Sequence, residues 1–314
     1  MKEKIKYLDY LFVLRPTLLF PVWTFFLAGY HANLCFDANK KLLDPKLVQN
    51  NNPIVAFVLL SFLMGAVYIF NQIADIETDA KNQKIFFIAN GIISQKLALV
   101  EGIILTIVAI GLAFVLEFKL GISFVLIFLC AGIFYSIKPF SWKDKPIWGV
   151  MAHLGGGWLV PACGWIAAGT LDWRFCIYAI PYAVALVSGY LLTTIPDIPG
   201  DRESGKITFG VRYGEKVTIY WAVFFELLSI GFSFLTRDYV LFLPALAAFP
   251  LYVIAVVRQK TEDVIRAIKF TILFVSLAVC VKFLTYFLVI LVTYYFSKWY
   301  YRKRFDLEYP KFAA

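Results

Sequence analysis

The feature that most limits how this chain can fold is a succession of apolar runs roughly 20 residues long, the length an α-helix needs to cross a hydrocarbon core of about 30 Å. About nine such runs occur, over 12–32, 53–74, 97–116, 118–136, 147–168, 174–195, 217–236, 239–257 and 267–296. With 61% hydrophobic and only 16% charged residues, a water-soluble globule is excluded. The expected fold is all-α: a polytopic membrane protein of about nine transmembrane helices. No connecting segment is long enough to fold alone, and no Ser/Gly-rich linker or short-period repeat interrupts the runs. Residues 1–314 therefore read as a single membrane domain. The first run contains Arg15 and Pro16 and lacks a small-x-small cleavage site, so it reads as a retained helix.

The net charge of +9 sits in short loops between the runs. With the N-terminus in the cytoplasm, the inner side gathers Lys2, Lys4, Lys6, Lys81, Lys84, Lys96, Lys138, Lys143, Lys145, Arg202, Lys206, Arg212, Lys216, Arg258, Lys260, Arg266 and Lys269, whereas the outer loops hold Lys40, Lys41, Lys46, Lys119, Arg174 and Arg237. Positive-inside topology accounts for this asymmetry, and no nucleic-acid partner is expected. The basic tail after residue 297 is the exception, since an odd number of spans leaves it outside. An odd count is kept because the last run, interrupted only by Lys282, is too short for two crossings. Five scattered cysteines without C-x-x-C spacing and two distant histidines suggest neither a disulfide framework nor a zinc or haem site.

Two acidic pairs stand where apolar runs meet polar loops. In YIFNQIADIETDAKN, helical spacing puts Asn71, Asp75 and Asp79 on one face, one turn apart. Like charges at i and i+4 destabilise a helix slightly, so the pair gains from a bound cation. Mg2+ suits it, because it takes hard oxygen ligands and completes its shell with water and substrate phosphate. In TTIPDIPGDRESGKITFGVRYG, Asp197 and Asp201 repeat the spacing beside Arg202, Lys206 and Arg212. Pro196, Pro199 and Gly200 argue against a continuous helix there, so a broken helix end or loop is expected. Carboxylates that hold metal beside cations that hold phosphate oxygens describe a diphosphate site. A third segment on the same predicted face, FYSIKPFSWKDKPIWG, offers Tyr135, Ser136, Lys138, Lys143 and Lys145. An aromatic ring such as Tyr135 stabilises a nearby cation through its quadrupole.

Taken together, Asn71-x-x-x-Asp75-x-x-x-Asp79, Asp197-x-x-x-Asp201 followed by Gly205-Lys206-x-Thr208 and Gly210-Val211-Arg212-x-Gly214, and Tyr135-Ser136 with its downstream lysines resemble the UbiA-type superfamily of intramembrane prenyltransferases. The resemblance implies about nine helices around a central cavity with cytoplasmic-face Asp-rich loops. It also implies Mg2+-dependent transfer of an isoprenyl group from a polyprenyl diphosphate to a small acceptor, often aromatic, as in quinone or prenyl-lipid biosynthesis. On that resemblance Asp75, Asp79, Asp197 and Asp201 are metal ligands, and Asn71, Lys138 or Lys143, Arg202, Lys206 and Arg15 are diphosphate contacts. Tyr135 lies near the allylic carbon. The chain departs from the pattern after the first motif: many members read Asn-x-Pro-x-Arg-Pro, whereas here the stretch is NQKIFFIANG, and Lys81 or Lys84 takes the place of the missing arginine. Membrane lipid is the expected surroundings.

Two other readings fit fewer residues. A cation-coupled secondary transporter would use the aspartates and proline-broken helices, yet all four aspartates cluster at one membrane face. A CDP-alcohol phosphotransferase would combine aspartates and metal, but the chain lacks a D-G-x-x-A-R motif.

Overall fold

The computed structural model describes residues 3–41, 53–76 and 87–310. Its long helices are α1 (Leu19–Lys41), α2 (Pro53–Ala74), α3 (Gln95–Leu116), α4 (Phe118–Ile127, prolonged by a π-helical stretch Phe128–Phe134), α5 (Pro146–Ala168), α6 (Arg174–Glu203), α7 (Glu215–Leu235), α8 (Tyr239–Arg258), α9 (Thr261–Lys282) and α10 (Leu284–Phe305). Among the described residues, eight helical segments, in α1 to α3 and α5 to α9, are long and apolar enough to cross a membrane, and Phe118–Phe134 is a shorter apolar helix. This is an integral membrane fold built of helices, the element whose backbone hydrogen bonds are made within one segment, as a lipid solvent demands.

Local chemistry sets the helix ends. Ser94 caps α3 by accepting from the Leu97 N–H at 3.3 Å, and extended Glu117 (φ −161°) separates α3 from α4. The Asp238 carboxylate caps α8 through the N–H groups of Val240 and Leu241 at 3.1 and 3.3 Å. Small residues then set the packing. A Cβ on Gly29 would lie 2.1 Å from the Pro161 carbonyl oxygen and one on Gly164 would lie 1.8 Å from that of Phe26. The α1 and α5 backbones therefore touch directly, which is how membrane helices gain contact without a hydrophobic driving force. Across the α6–α7 seam, Ser188 donates to the Ala222 carbonyl at 2.8 Å and Ser229 to that of Pro181 at 3.1 Å.

Two expectations are corrected. The run over 267–296 is two helices instead of one. Phe283 leaves the helical region (φ −130°, ψ 85°), and its ring packs on Tyr30 and His31 at centroid distances of 5.9 and 6.2 Å. α10 then runs back to the opposite end of the bundle, where Arg304 pairs with Asp9 at 2.9 Å and Tyr300 stacks on Phe12 at 3.7 Å. Gln72, one turn before Ile76, donates to the Val13 carbonyl at 2.8 Å, so the basic turn of α10 lies at the Asp75 end. The turn escapes the sequence because both halves are equally apolar. Lys282 is the exposed last residue of α9 instead of a charge in mid-span.

The second motif is also not a broken loop. α6 continues through Pro181, Pro196 and Pro199 to Glu203, so Asp197 and Asp201 ride on its last turns, one above the other. A proline removes one hydrogen bond and crowds one carbonyl, and helices packed among others in a membrane tolerate this.

Candidate active site

Three chain segments converge on one carboxylate. α2 is carried past its last residue by the Asp75 N–H, which bonds to the Asn71 carbonyl at 3.0 Å, so Asn71 and Asp75 share a stripe. At the end of the π-helical stretch the Tyr135 N–H reaches back five residues to Cys130, a register shift of the kind found at functional sites. It sets Ser136 against α2, where Asn71 Nδ2 donates to Ser136 Oγ at 3.2 Å. The chain then turns through Ser141 (φ 37°) into a single 3-10 turn, Trp142–Asp144, which points Lys143 at Asp75. Its Nζ lies 2.5 Å from Asp75 Oδ2. The third segment follows α6. Gly205 takes the left-handed conformation (φ 73°) that a tight turn requires, the Lys206 N–H closes on the Asp201 carbonyl at 2.9 Å, and Lys206 Nζ lies 3.5 Å from Asp75 Oδ1. The Ile207 N–H donates to the Asp144 carbonyl at 3.2 Å, joining the second and third segments.

A cavity of about 830 Å3 is lined by Asp75, Ser136, Lys138, Lys143, Asp144 and Lys206 together with Phe70, Ile73 and Leu99. Its lining mixes ammonium groups and carboxylates with hydrocarbon.

Of the residues singled out from sequence, Asn71, Asp75, Ser136, Lys138, Lys143 and Lys206 come together here. Tyr135 adjoins Ser136, and its ring meets His153 edge-on at 5.6 Å, while His153 stacks on Tyr190 at 3.8 Å. Asp201 accepts a hydrogen bond from Thr208 Oγ1 at 3.1 Å. Asp197 and Arg202 are exposed on the end of α6, outside the cavity wall. Arg15, at φ 51° before a short 3-10 helix, is also outside that wall. Asp79, Lys81 and Lys84 lie outside the described residues. Among the described residues no group of three or more His, Cys, Asp or Glu is close enough to hold a metal ion. Mg2+ does not need such a cluster: one or two carboxylates plus substrate phosphate and water complete its shell. The all-oxygen donors on the ends of α2 and α6 suit that chemistry.

Two groups went unnoticed in the sequence. Asp144 has a buried Oδ1 with no hydrogen-bond partner. Burial raises its pKa above the ordinary carboxylate range, against the pull of Lys206 and Lys143. Standing between lysines in a loop, it carries no spacing signal. Glu226, 1% exposed in the middle of α7, did have a signal: an ionisable residue inside an apolar run.

The fold is an intramembrane helical bundle whose cavity carries lysines and aspartates among apolar side chains. Residues 42–277 match the model of the UbiA prenyltransferase family, and the chain belongs to that family. It is 27% identical over 197 residues to a 2-acylphloroglucinol 4-prenyltransferase, chloroplastic, from Humulus lupulus, an alignment covering 58% of this chain and 47% of the relative. The chain thus spans about half the length of the curated relatives it matches. Among solved structures, a digeranylgeranylglyceryl phosphate synthase superposes with a TM-score of 0.64 at 19% identity, covering 88% of this chain and 98% of that one. A UbiA homologue from Archaeoglobus fulgidus bound to DMAPP and Mg2+ superposes with a TM-score of 0.65 at 16% identity, covering 86% and 98%.

Proposed function

We propose that this protein transfers an isoprenyl group from a polyprenyl diphosphate to an aromatic or other small polar-headed acceptor, with Mg2+ as cofactor. The observation that carries the reading is Asp75 held between Lys143 and Lys206 at 2.5 and 3.5 Å. One carboxylate is shared by two ammonium groups, so the cluster keeps a net positive charge suited to an anion. Asp75 would hold the cation of a metal diphosphate and Lys143 and Lys206 its phosphate oxygens, so each charge would keep a partner in a water-poor site. The matched structures of a UbiA homologue with DMAPP or GPP and Mg2+ and the acylphloroglucinol prenyltransferases support the same assignment of donor, cofactor and acceptor class.

In this reading Asp75, Asp79, Asp197 and Asp201 hold the metal. Asn71, Lys138, Lys143 and Lys206 grip the diphosphate, with Lys81, Lys84, Arg202 and Arg15 around its outer edge. Bound Mg2+ supplies Lewis-acid stabilisation of the leaving diphosphate. Lys143 and Lys206 add fixed positive charge where negative charge develops as the allylic carbon–oxygen bond breaks. Tyr135, backed by His153, presents its ring to the allylic cation. The apolar flank holds the prenyl chain, each buried methylene contributing about 0.8 kcal/mol, and keeps water from the cation. The Asp75 end faces the cytoplasm with the N-terminus. Arg302, Lys303 and Arg304, which α10 brings to that end, add to the positive-inside asymmetry.

The test is Mg2+-dependent binding of geranylgeranyl diphosphate to the detergent-purified protein, followed by mass spectrometry after addition of aromatic and lipid acceptors. A prenylated product that disappears in folded Asp75→Asn and Asp201→Asn variants is the expected result. Wild-type rates in both variants would sink the assignment, and cation-driven solute uptake without prenyl diphosphate would replace it with transport.

A further inference from the structure

α10 carries a surface that the chemistry above does not use. Its inward face is occupied: Ser297 and Tyr300 are buried, and Arg304 is paired with Asp9. On the outward face Leu288, Val292, Tyr295, Trp299, Arg302 and Asp306 recur at intervals of three or four residues, the spacing that keeps side chains on one stripe. The chemistry changes in order along that stripe. Leu288 and Val292 are 58% and 67% exposed, and Tyr295 and Trp299 are 63% and 43% exposed. Lys298, Arg302 and Lys303 line a groove of about 600 Å3 together with Tyr295, Trp299 and Asp306, so its charged lining is net positive. None of these three cations has an ion-pair partner among the described residues. At 1.5 Å per residue, the stretch from Leu288 to Lys303 spans about 22 Å, enough to run from the acyl region of one leaflet to its headgroups.

We propose that this stripe is a binding site for an anionic phospholipid. The acyl chain lies along Leu288 and Val292, the glycerol region meets the interfacial rings of Tyr295 and Trp299, and Lys298, Arg302 and Lys303 hold the headgroup phosphate. Charge complementarity decides the occupant. A zwitterionic lipid brings its own ammonium group toward three unpaired cations. A second copy of the chain packed on the same face by a two-fold axis would set those cations against their own images.

The experiment uses the intact protein in phosphatidylcholine vesicles containing brominated phosphatidylglycerol or brominated phosphatidylcholine, and reads tryptophan fluorescence. Subtracting the signal of Trp299→Phe isolates Trp299 from the other tryptophans. The expected result is half-maximal quenching of Trp299 at a mole fraction of the anionic lipid at least about five-fold lower than for the zwitterionic one. That preference should be lost in Lys298→Gln/Arg302→Gln/Lys303→Gln, kept in Lys260→Gln, and weakened by rising salt in the wild type. The salt series decides the matter even where the triple variant does not insert. Equal quenching by both lipids, a preference that survives the triple substitution, or a preference abolished by inorganic pyrophosphate at constant ionic strength would each overturn the site. Protection of Trp299 from both lipids would assign the face to a second copy.

Discussion

Asp75 is the residue on which the three segments agree, and its two lysines are not equivalent. Lys143 approaches to 2.5 Å and Lys206 to 3.5 Å, while Lys138 on the same wall is exposed. A hydrogen bond to a charged group contributes about 1.5–3 kcal/mol. Lys143→Ala is therefore expected to weaken binding of geranylgeranyl diphosphate by about 10- to 100-fold, and Lys138→Ala by less, as titration of each purified variant would show. Asp144 gives a pH prediction with a definite sign. Its pKa is raised in the folded protein, chiefly by burial, so folding takes up a proton at this carboxyl. It therefore favours the fold at low pH and penalises it increasingly as pH rises through the raised value. Asp144→Asn removes the penalty, so its gain in melting temperature over the wild type should be absent in acid and grow toward neutral pH. A constant difference across that range would show that the carboxyl is not held against its ordinary pKa.

At the scale of the helix, sequence and structure part where packing outweighs local preference. The 20-residue apolar runs and the four-residue spacing of the aspartates were legible, because bilayer thickness and helical pitch impose both. The continuity of α6 was not, because Pro196 and Pro199 argue locally for a break, whereas the helix runs on to Glu203 through turns that are half-buried or exposed. Nor was the turn at Phe283, which no polar cluster marks. Asp144 became part of the site only when the 205–207 turn folded onto its loop. In a background with Cys35 and Cys176 changed to Ser, cysteines placed at Ser94 and Glu308 are expected to label from one side of the membrane and one at Lys119 from the other. Labelling of position 308 together with 119 would remove the return of α10. The α1–α5 seam makes a second demand. Gly164→Ala forces a Cβ to within 1.8 Å of the Phe26 carbonyl oxygen, whereas Gly111 has nothing within 4 Å. Overpacking against backbone costs about 3 kcal/mol, so Gly164→Ala should lower the melting temperature in detergent sharply and Gly111→Ala should not.

For the whole molecule, the decisive contact joins α10 to the stretch before α1. Asp9, 4% exposed, accepts from Arg304 Nε at 3.1 Å and Nη2 at 2.9 Å and from the Tyr300 hydroxyl. Tyr300 also stacks between Phe12 and Phe87. Breaking a buried pair by removing one partner costs about 3–5 kcal/mol, because the other charge stays buried. Arg304→Met should therefore lower thermal stability by that order, and Asp9→Asn/Arg304→Met should recover part of the loss. Equal stability of the single and double variants would mean that Asp9 finds another partner. The pair also bears on biosynthesis. Its members are 295 positions apart, so during synthesis the carboxylate reaches the membrane long before the guanidinium that neutralises it has been made. A nascent chain stalled short of α10 is a bundle with one open seam and a stranded acid beside it, and quality-control proteases read features of that kind. The arrival of α10 is thus the step that closes the seam beside Asp9.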